Sequence, residues 1–306
     1  MHFADRVCAA VSAKDSRVVV GLDPAPDLLP PPLRNGLDER DPAAVCAALL
    51  AFNKLVIDRT AEFAVAVKPQ LAFYEAYGSQ GLAVLEETNR YAHRAGLLVI
   101  CDGKRGDIGS TAQAYARAFF ARRPEDGWGI FADALTVNAY LGTDGLRPFA
   151  DAAREREKGI FVLVRTTNPS SVELQDLEAG GAPFHEAVAG LVLRLSEGSF
   201  GQSGFSCLGA VAGATFPAAG RRLRQLMPKS ILLVPGVGAQ GGSAADTGVF
   251  FTPDGQGALV SASRSIIGAG ANAGSLAEAG AAIGREAMLL RDGINEALAS
   301  RGGKGS

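Results

Sequence analysis

LLVICDGKRGDIGST, residues 97–111, is the stretch of this chain that indicates its fold most strongly. It opens on a continuous apolar run, residues 97–101, which predicts a strand buried on both faces. Asp102 and Lys104 follow at alternate positions, so they can point the same way from the end of that strand. If a helix begins near Asp107, Thr111 shares its face. The stretch therefore presents an acid, a base and a second acid, with a hydroxyl beside them.

This pattern, D-x-K-x-x-D-x-x-x-T, is more specific than its parts. A single D-x-K is more simply interpreted as a solvated charged turn. Four fixed residues at this spacing are expected by chance in well under about 1% of chains of this length. We therefore expect this strand end to carry chemistry.

The composition is that of one globular domain without targeting features. A formal net charge of −2, from 30 basic and 32 acidic residues, gives no general attraction for nucleic acid or an anionic membrane. The 38 glycines and 15 prolines form no long linker, so we predict one domain over residues 1–306 with a disordered tail at 301–306. Apolar runs are far shorter than the roughly 18 residues that span a bilayer. Residues 1–11 lack a signal-peptide core, so we expect a cytoplasmic protein.

The cysteines and histidines are scattered, which disfavours disulfide, zinc and Ser-His-Asp chemistry. There are four cysteines and three histidines, with no C-x-x-C pair and no histidine set near a cysteine. Cys101, inside the apolar run, is better interpreted as a small buried hydrophobe than as a nucleophile. The sequence therefore predicts no metal site.

Eight short apolar runs alternate with longer helical patterns, which predicts an α/β protein with a (β/α)8 barrel fold. The runs are residues 18–22, 64–67, 97–101, 134–137, 160–164, 207–212, 231–234 and 258–260. Helices are predicted at residues 42–63, 81–95, 109–122, 144–158, 183–198, 216–227 and 243–248, and at 275–300 with a break near Gly284.

A barrel places catalytic groups where strands end, and here polar residues follow every predicted strand. In chain order they are Asp23, Lys68, Asp102 with Lys104, Asn138, residues 165–168, Thr215, residues 235–240 and residues 261–264. Each one alone could be a surface residue that ends a strand. Together they predict a single polar funnel at one end of the barrel.

The last two strand ends are predicted to bind phosphate, which many barrels hold at this place. Glycines in residues 236–242, Gly238 among them, let backbone N–H groups approach an anion. Ser263, Arg264 and Gln240 can add side-chain donors. The alternative is a flexible turn beside an exposed arginine. Neither a Walker lysine-serine pair nor a dinucleotide G-x-G-x-x-G after the first strand is present.

These strand ends resemble the orotidine 5'-phosphate decarboxylase family in its longer bacterial, type 2 form. The resemblance extends from Gly21-Leu22-Asp23-Pro24 to Ser263-Arg264-Ser265, and its specific motifs are residues 102–108, 136–142 and 235–242. Gly103 and Ala139 stand where the family more often has alanine and proline. Neither difference removes a functional group.

The resemblance implies cofactor-free conversion of orotidine monophosphate to uridine monophosphate and CO2, a step of de novo pyrimidine biosynthesis. It makes Lys104 the proton donor to pyrimidine C6 and sets Asp102 beside the departing carboxylate. Lys68 and Asp107 complete the charged array. Asp107 and Thr111 are implied to reach into the neighbouring subunit's site in a homodimer. Flanking acids favour the charged form of the Lys104 ammonium.

The resemblance also implies the substrate-binding residues. Asp23 would accept a ribose hydroxyl, Thr167 would bind the pyrimidine, and Gln240 with Arg264 would hold the phosphate. Further residues assigned to substrate binding are Ile108, Asn138, Gly238 and Ser263. Residues 168–182 and 240–255 are the predicted mobile covers of the site.

Three alternatives remain open from the sequence. A related sugar-phosphate decarboxylase, of the keto-gulonate-phosphate type, shares D-x-K-x-x-D but uses its acids to hold magnesium. A Schiff-base lyase would need a desolvated Lys68 or Lys104. A non-catalytic binder of nucleotide phosphate would keep the phosphate site without the chemistry.

Overall fold

Eight parallel strands form a closed barrel, as the alternation of apolar runs predicts. The computed structural model describes residues 1–120, 129–238 and 241–302. The barrel order is β1-β10-β9-β8-β5-β4-β3-β2, and β6 and β7 form a separate antiparallel hairpin. The strands are β1 Val18–Leu22, β2 Ala66–Pro69, β3 Leu98–Arg105, β4 Ala134–Val137, β5 Gly159–Arg165, β6 Glu178–Ala179, β7 Ala182–Pro183, β8 Ser206–Ala212, β9 Ser230–Pro235 and β10 Ala258–Ala262.

Helices surround the barrel and bury its outer face. They are α1 Phe3–Lys14, α2 Pro31–Arg34, α3 Pro42–Thr60, α4 Ala72–Glu75, α5 Gly78–Arg94, α6 Gly109–Phe119, α7 Gly142–Glu155, α8 Val172–Gln175, α9 Phe184–Leu195, α10 Pro217–Leu226, α11 Arg264–Ile267 and α12 Leu276–Gly302. None of the helices in the described ranges is long and apolar enough to cross a membrane.

Helix α1, which the sequence analysis did not predict, packs at the amino-terminal end of the barrel. Phe3 meets Phe161 of β5 edge-on, with ring centroids 6.1 Å apart. A Cβ at Gly159 would lie only 2.3 Å from the Phe3 ring, so glycine is required for this approach. Phe3, Val7 and Val11 are all buried at a spacing of four residues, the helical signal that could have revealed α1.

A buried carboxylate, Asp133, fastens α1 to the barrel. It accepts hydrogen bonds from Arg6 at 2.6 Å and His93 at 2.9 Å, and Lys158 lies 3.5 Å away. Its Oδ2 also accepts from the backbone N–H of Val99 at 2.9 Å. Burial would raise the pKa of Asp133, but the His93 hydrogen bond and the cations of Arg6 and Lys158 hold it well below its usual value. This cluster lies before β4 and therefore at the end of the barrel opposite the predicted funnel.

Three sequence predictions are corrected by the helices. Helix α12 is not broken near Gly284, because that glycine packs against α3: a Cβ there would lie 2.9 Å from the carbonyl oxygen of Arg59. The predicted tail begins too early, since α12 includes Arg301, whose guanidinium donates to the carbonyl of Gly248; residues 303–306 lie outside the described ranges. The helix predicted at residues 243–248 is a 3-10 turn, Ala245–Phe250.

Candidate active site

A cavity of about 550 Å³ opens at the carboxyl ends of the strands. Seven of the eight barrel strands contribute residues to its wall, and Asp23, the residue after β1, completes it, in keeping with the predicted funnel. The parallel register accounts for this arrangement: Gly21 of β1 pairs with Lys68 of β2, which sets Lys68 at the same level as the end of β1. Gln70, just beyond β2, bridges to Asp102 of β3.

Asp102 is the centre of the polar network in this cavity. Its Oδ2 accepts from Lys68 Nζ at 2.7 Å and from Gln70 Nε2 at 3.2 Å. Its Oδ1 accepts from Lys104 Nζ at 2.6 Å and from Thr136 Oγ1 at 2.9 Å. Sequence reasoning gave no role to Gln70 or Thr136; the parallel pairing of their strands with β3 was the available signal. One carboxylate thus holds two ammonium groups at the cavity wall.

The electrostatics fix the charged state of the Lys68–Asp102 pair. Burial would raise the pKa of Asp102, but the ammonium charges of Lys68 and Lys104 outweigh it and hold the pKa well below its usual value. Burial would lower the pKa of Lys68, but the carboxylates of Asp102 and Asp23 reverse that effect and raise it. Both groups are therefore charged near neutral pH.

The two lysines differ in access. The Lys68 side chain is 7% exposed and that of Lys104 is 45% exposed, so Lys104 is the ammonium that a ligand can reach. Lys104 has a left-handed backbone, with φ of 46°, at a register shift between β3 and β4. Its backbone N–H donates to Thr136 Oγ1 at 2.9 Å, which holds this unusual conformation.

Asp23 and Ser263 both line the cavity. Oδ1 of Asp23 is buried and has no hydrogen-bond partner in the described part of the chain. A Cβ at Gly21 would lie 1.7 Å from Ser263 Oγ, so only glycine lets β1 approach this serine. A buried unpaired carboxylate oxygen in a cavity is suited to accept a hydrogen bond from a ligand hydroxyl.

The loops after β9 and β10 carry the residues that the sequence predicts to bind an anion. Arg264 is exposed at the start of α11 and has no ion-pair partner within the described ranges. Gly238 has φ of 84°, and a Cβ there would lie 2.8 Å from Ser265 Oγ. Its N–H donates to the carbonyl of Gly242, so it closes the loop and does not line the cavity. Gln240 lies outside the described residues.

Besides Gly238, four predicted site residues in the described part of the chain do not line the cavity of this subunit: Asp107, Ile108, Thr111 and Asn138. The expectation that Asp107 and Thr111 share a helical face is wrong, because α6 begins at Gly109 and Asp107 accepts from the Ile108 N–H at 2.8 Å before the helix starts. Ile108 is 54% exposed and Thr111 is exposed. Asn138 accepts from the N–H of Tyr140 and shapes its own loop.

The segment after β5, residues 168–183, borders the cavity and carries α8 and the β6–β7 hairpin. Thr166 and Thr167 line the cavity beside Gln175 of this segment. A Cβ at Gly213, the residue after β8, would lie 2.7 Å from the Thr167 methyl group, so the backbone there packs directly against Thr167. Thr167 is therefore placed where its predicted contact with a ligand is available.

The comparisons with known proteins agree with this geometry. The model of the "Orotidine 5'-phosphate decarboxylase / HUMPS family" matches residues 16–279. The chain belongs to this family. Its curated relatives include the orotidine 5'-phosphate decarboxylase of Rhodopirellula baltica, 46% identical over 87% of this chain and 88% of the relative. That of Deinococcus radiodurans is 42% identical over 97% of this chain and 98% of the relative.

Solved structures show the same family likeness. The structure of Leishmania donovani OMP decarboxylase is 34% identical, covers 97% of this chain and 99% of its own, and superposes with a TM-score of 0.74. As a member of this family, the chain is an enzyme of the carboxy-lyase class.

Proposed function

We propose that this protein decarboxylates orotidine monophosphate to uridine monophosphate in de novo pyrimidine biosynthesis, with Lys104 as the proton donor. The observation that carries the proposal is one buried carboxylate, Asp102, bound to both Lys68 and Lys104 in the wall of a strand-end cavity. Preorganised charge in a site of this kind is most effective where charge develops during the reaction.

The proposed mechanism uses these groups in sequence. The substrate carboxylate lies next to Asp102, whose repulsion is relieved as the C6–carboxylate bond breaks and CO2 departs. The electron pair of that bond remains on C6, where the nearby ammonium of Lys104 stabilises it. Lys104 then gives one N–H proton to C6 and becomes a neutral amine. Lys68, buried and charged, keeps Asp102 ionised throughout.

Substrate binding is proposed to use the rest of the cavity. Asp23 accepts a ribose hydroxyl through its unpaired buried oxygen. Thr167 binds the pyrimidine, and Arg264 with Ser263 and Gln240 holds the phosphate. Binding energy from a phosphate remote from C6 can orient a pyrimidine ring that has few polar groups for the protein to bind.

We propose a homodimer that shares its active sites. Asp107, Ile108 and Thr111 do not line the cavity of their own subunit, and exposed apolar side chains of Tyr140 and Leu141 lie in the loop after β4. In a homodimer these residues would complete the partner's site, with Asp107 and Thr111 facing its ligand. A cytoplasmic location stays a prediction.

A sugar-phosphate decarboxylase that holds magnesium on its acids is less well supported. Both oxygens of Asp102 already accept hydrogen bonds from ammonium groups, and Lys68 and Lys104 would repel a divalent cation there.

The ultraviolet absorbance of orotidine monophosphate, followed with the purified protein in excess chelator, tests the proposal. We expect a fall in absorbance to that of uridine monophosphate at an unchanged rate with and without chelator. No spectral change would overturn the proposed function, and a rate restored only by magnesium would favour the sugar-phosphate type of site.

A further inference from the structure

Arg165 ends β5 as a fully buried cation that belongs to no part of the proposed chemistry. It is 2% exposed and does not line the cavity. Its guanidinium carbon lies 3.6 Å from the centroid of the Phe216 ring, on the loop after β8. Burial lowers the pKa of Arg165. Burying a cation costs free energy unless hydrogen bonds or opposite charges compensate for the lost hydration.

The hydrogen-bond partners of the Arg165 guanidinium in the described part of the chain all lie in the segment that borders the cavity, residues 168–183. Its Nη1 donates to Ser171 Oγ and to Gln175 Oε1, the latter at 3.1 Å, and its Nη2 donates to Asp176 Oδ2 at 3.0 Å. His185 Nδ1 lies 2.8 Å from the carbonyl oxygen of Gln175 and holds the same turn from α9. The guanidinium therefore ties the end of a rigid strand to three side chains of one surface segment.

Gln175 carries this connection to the cavity wall. Its Oε1 accepts from the N–H of Thr166 at 2.9 Å, and its Nε2 donates to Thr166 Oγ1 at 2.8 Å. Thr166, Thr167 and Gln175 all line the cavity. Because Arg165 occupies the same Gln175 oxygen, it fixes which way the amide faces and therefore which group Gln175 turns to Thr166.

We infer that Arg165 is a positioning residue for substrate binding, acting through Gln175 and Thr166 on the cavity wall at Thr167. The inference rests on the proposed function, because it assigns the pyrimidine side of the cavity to Thr167. Without the guanidinium, the Gln175 amide loses the donor that fixes its orientation, so part of the binding free energy of each substrate molecule is spent on ordering this wall. Contacts held equally in the ground state and the transition state affect KM and leave kcat nearly unchanged.

The test compares Arg165→Lys with Asp176→Asn and with a matched control, Arg224→Lys. Arg224 is also buried, at 7% exposure, but it donates to the backbone carbonyls of Met227, Ser230 and Gly257, away from the cavity. The Asp176 side chain is 41% exposed, so its substitution leaves no cavity in the core, and melting temperatures are measured for every variant because Arg165 loses its ion-pair partner. We expect Arg165→Lys to raise KM for orotidine monophosphate roughly tenfold and Asp176→Asn several-fold, with kcat within about threefold of wild type. Arg224→Lys should lower the melting temperature without changing KM.

Binding of uridine monophosphate, measured by calorimetry on the same variants, separates this inference from the proposed function. The Kd should rise in parallel with KM for the Arg165 and Asp176 variants. An inactive wild type that still binds the nucleotide more tightly than these variants would overturn the proposed function and keep the positioning role. Equal KM and Kd in the wild type and in the Arg165 and Asp176 variants would overturn the positioning role, whatever the melting temperatures. A wild type that neither turns over nor binds would overturn both.

Discussion

At the scale of single residues, surroundings decide what a charged group does. Asp102 and Asp133 are both buried carboxylates whose pKa is held low by neighbouring cations, yet they lie at opposite ends of the barrel. Asp102 faces a cavity and an accessible ammonium. Asp133 is enclosed and has its oxygens occupied by Arg6, His93 and a backbone N–H. A lowered pKa therefore identifies a site only together with an open cavity.

Asp133→Asn should lower the free energy of unfolding by about 3 kcal/mol at pH 7, because it leaves buried cations without their partner. The folded-state pKa of Asp133 is lowered, so its contribution is present above the unfolded value near 4 and is lost as the pH falls through that value toward the folded one. Urea titrations from pH 7 to pH 3 should show that the difference in free energy of unfolding between Asp133→Asn and wild type becomes smaller below pH 4. A difference that stayed constant with pH would contradict this account.

The sequence predicts the identity of the charged cluster better than its geometry. Alternation in the strand placed Asp102 and Lys104 on one side, and the 2.6 Å contact between them confirms it. The left-handed backbone of Lys104 has no signal in local composition, since it depends on the register between β3 and β4 and on Thr136 from the neighbouring strand. Asn138 shows the opposite error: it follows a strand as predicted but serves its own loop.

At the scale of elements, patterns of apolar residues were sufficient to locate the strands of the barrel. They were insufficient to predict which helices pack against one another. The runs at 18–22 and 134–137 are strands β1 and β4 as predicted. Helix α12 was expected to break at Gly284 because glycine disfavours helix interiors. The close approach of α3 explains this glycine, and such an approach between distant segments is not encoded in local sequence.

Gly284→Ala should therefore destabilise the protein by about 1 kcal/mol, although alanine is the better helix former. The methyl group would lie 2.9 Å from the Arg59 carbonyl oxygen, and the cost of overpacking, about 1–3 kcal/mol, exceeds the gain in helix propensity. Gly190→Ala in α9 is the matched control, since its nearest neighbour would be the Arg194 side chain at 3.5 Å. Thermal melts should move in opposite directions for the two variants. A melting temperature raised by both would show that α12 does not pack tightly on α3.

At the scale of the whole molecule, the proposed site divides between two subunits. Lys104 lines the cavity of its own chain, whereas Asp107 and Thr111 do not. This separation follows from the end of β3 and the start of α6, two residues beyond Asp107. The barrel and its funnel were predictable from one chain, but the relation of these residues to a second chain was accessible only through the family resemblance.

Mixing Lys104→Ala with Asp107→Ala should restore about a quarter of the wild-type activity, because in a shared-site dimer half of the molecules are heterodimers with one intact site of two. Each variant alone should be nearly inactive. The two variants are allowed to exchange subunits before the assay, and the control assays them without exchange. Activity that appears only after exchange belongs to the heterodimer. No restoration after complete exchange would contradict shared sites.

In the proposed mechanism Lys104, held by Asp102, delivers the proton to pyrimidine C6. The most direct measurement is the turnover of orotidine monophosphate by Lys104→Ala, together with calorimetric binding of uridine monophosphate to the same protein. We predict a loss of kcat of at least about 10³-fold with nucleotide binding retained, since the variant removes both the proton donor and the stabilising charge. Turnover within tenfold of wild type by a variant that binds the nucleotide normally would contradict the role of Lys104 as proton donor.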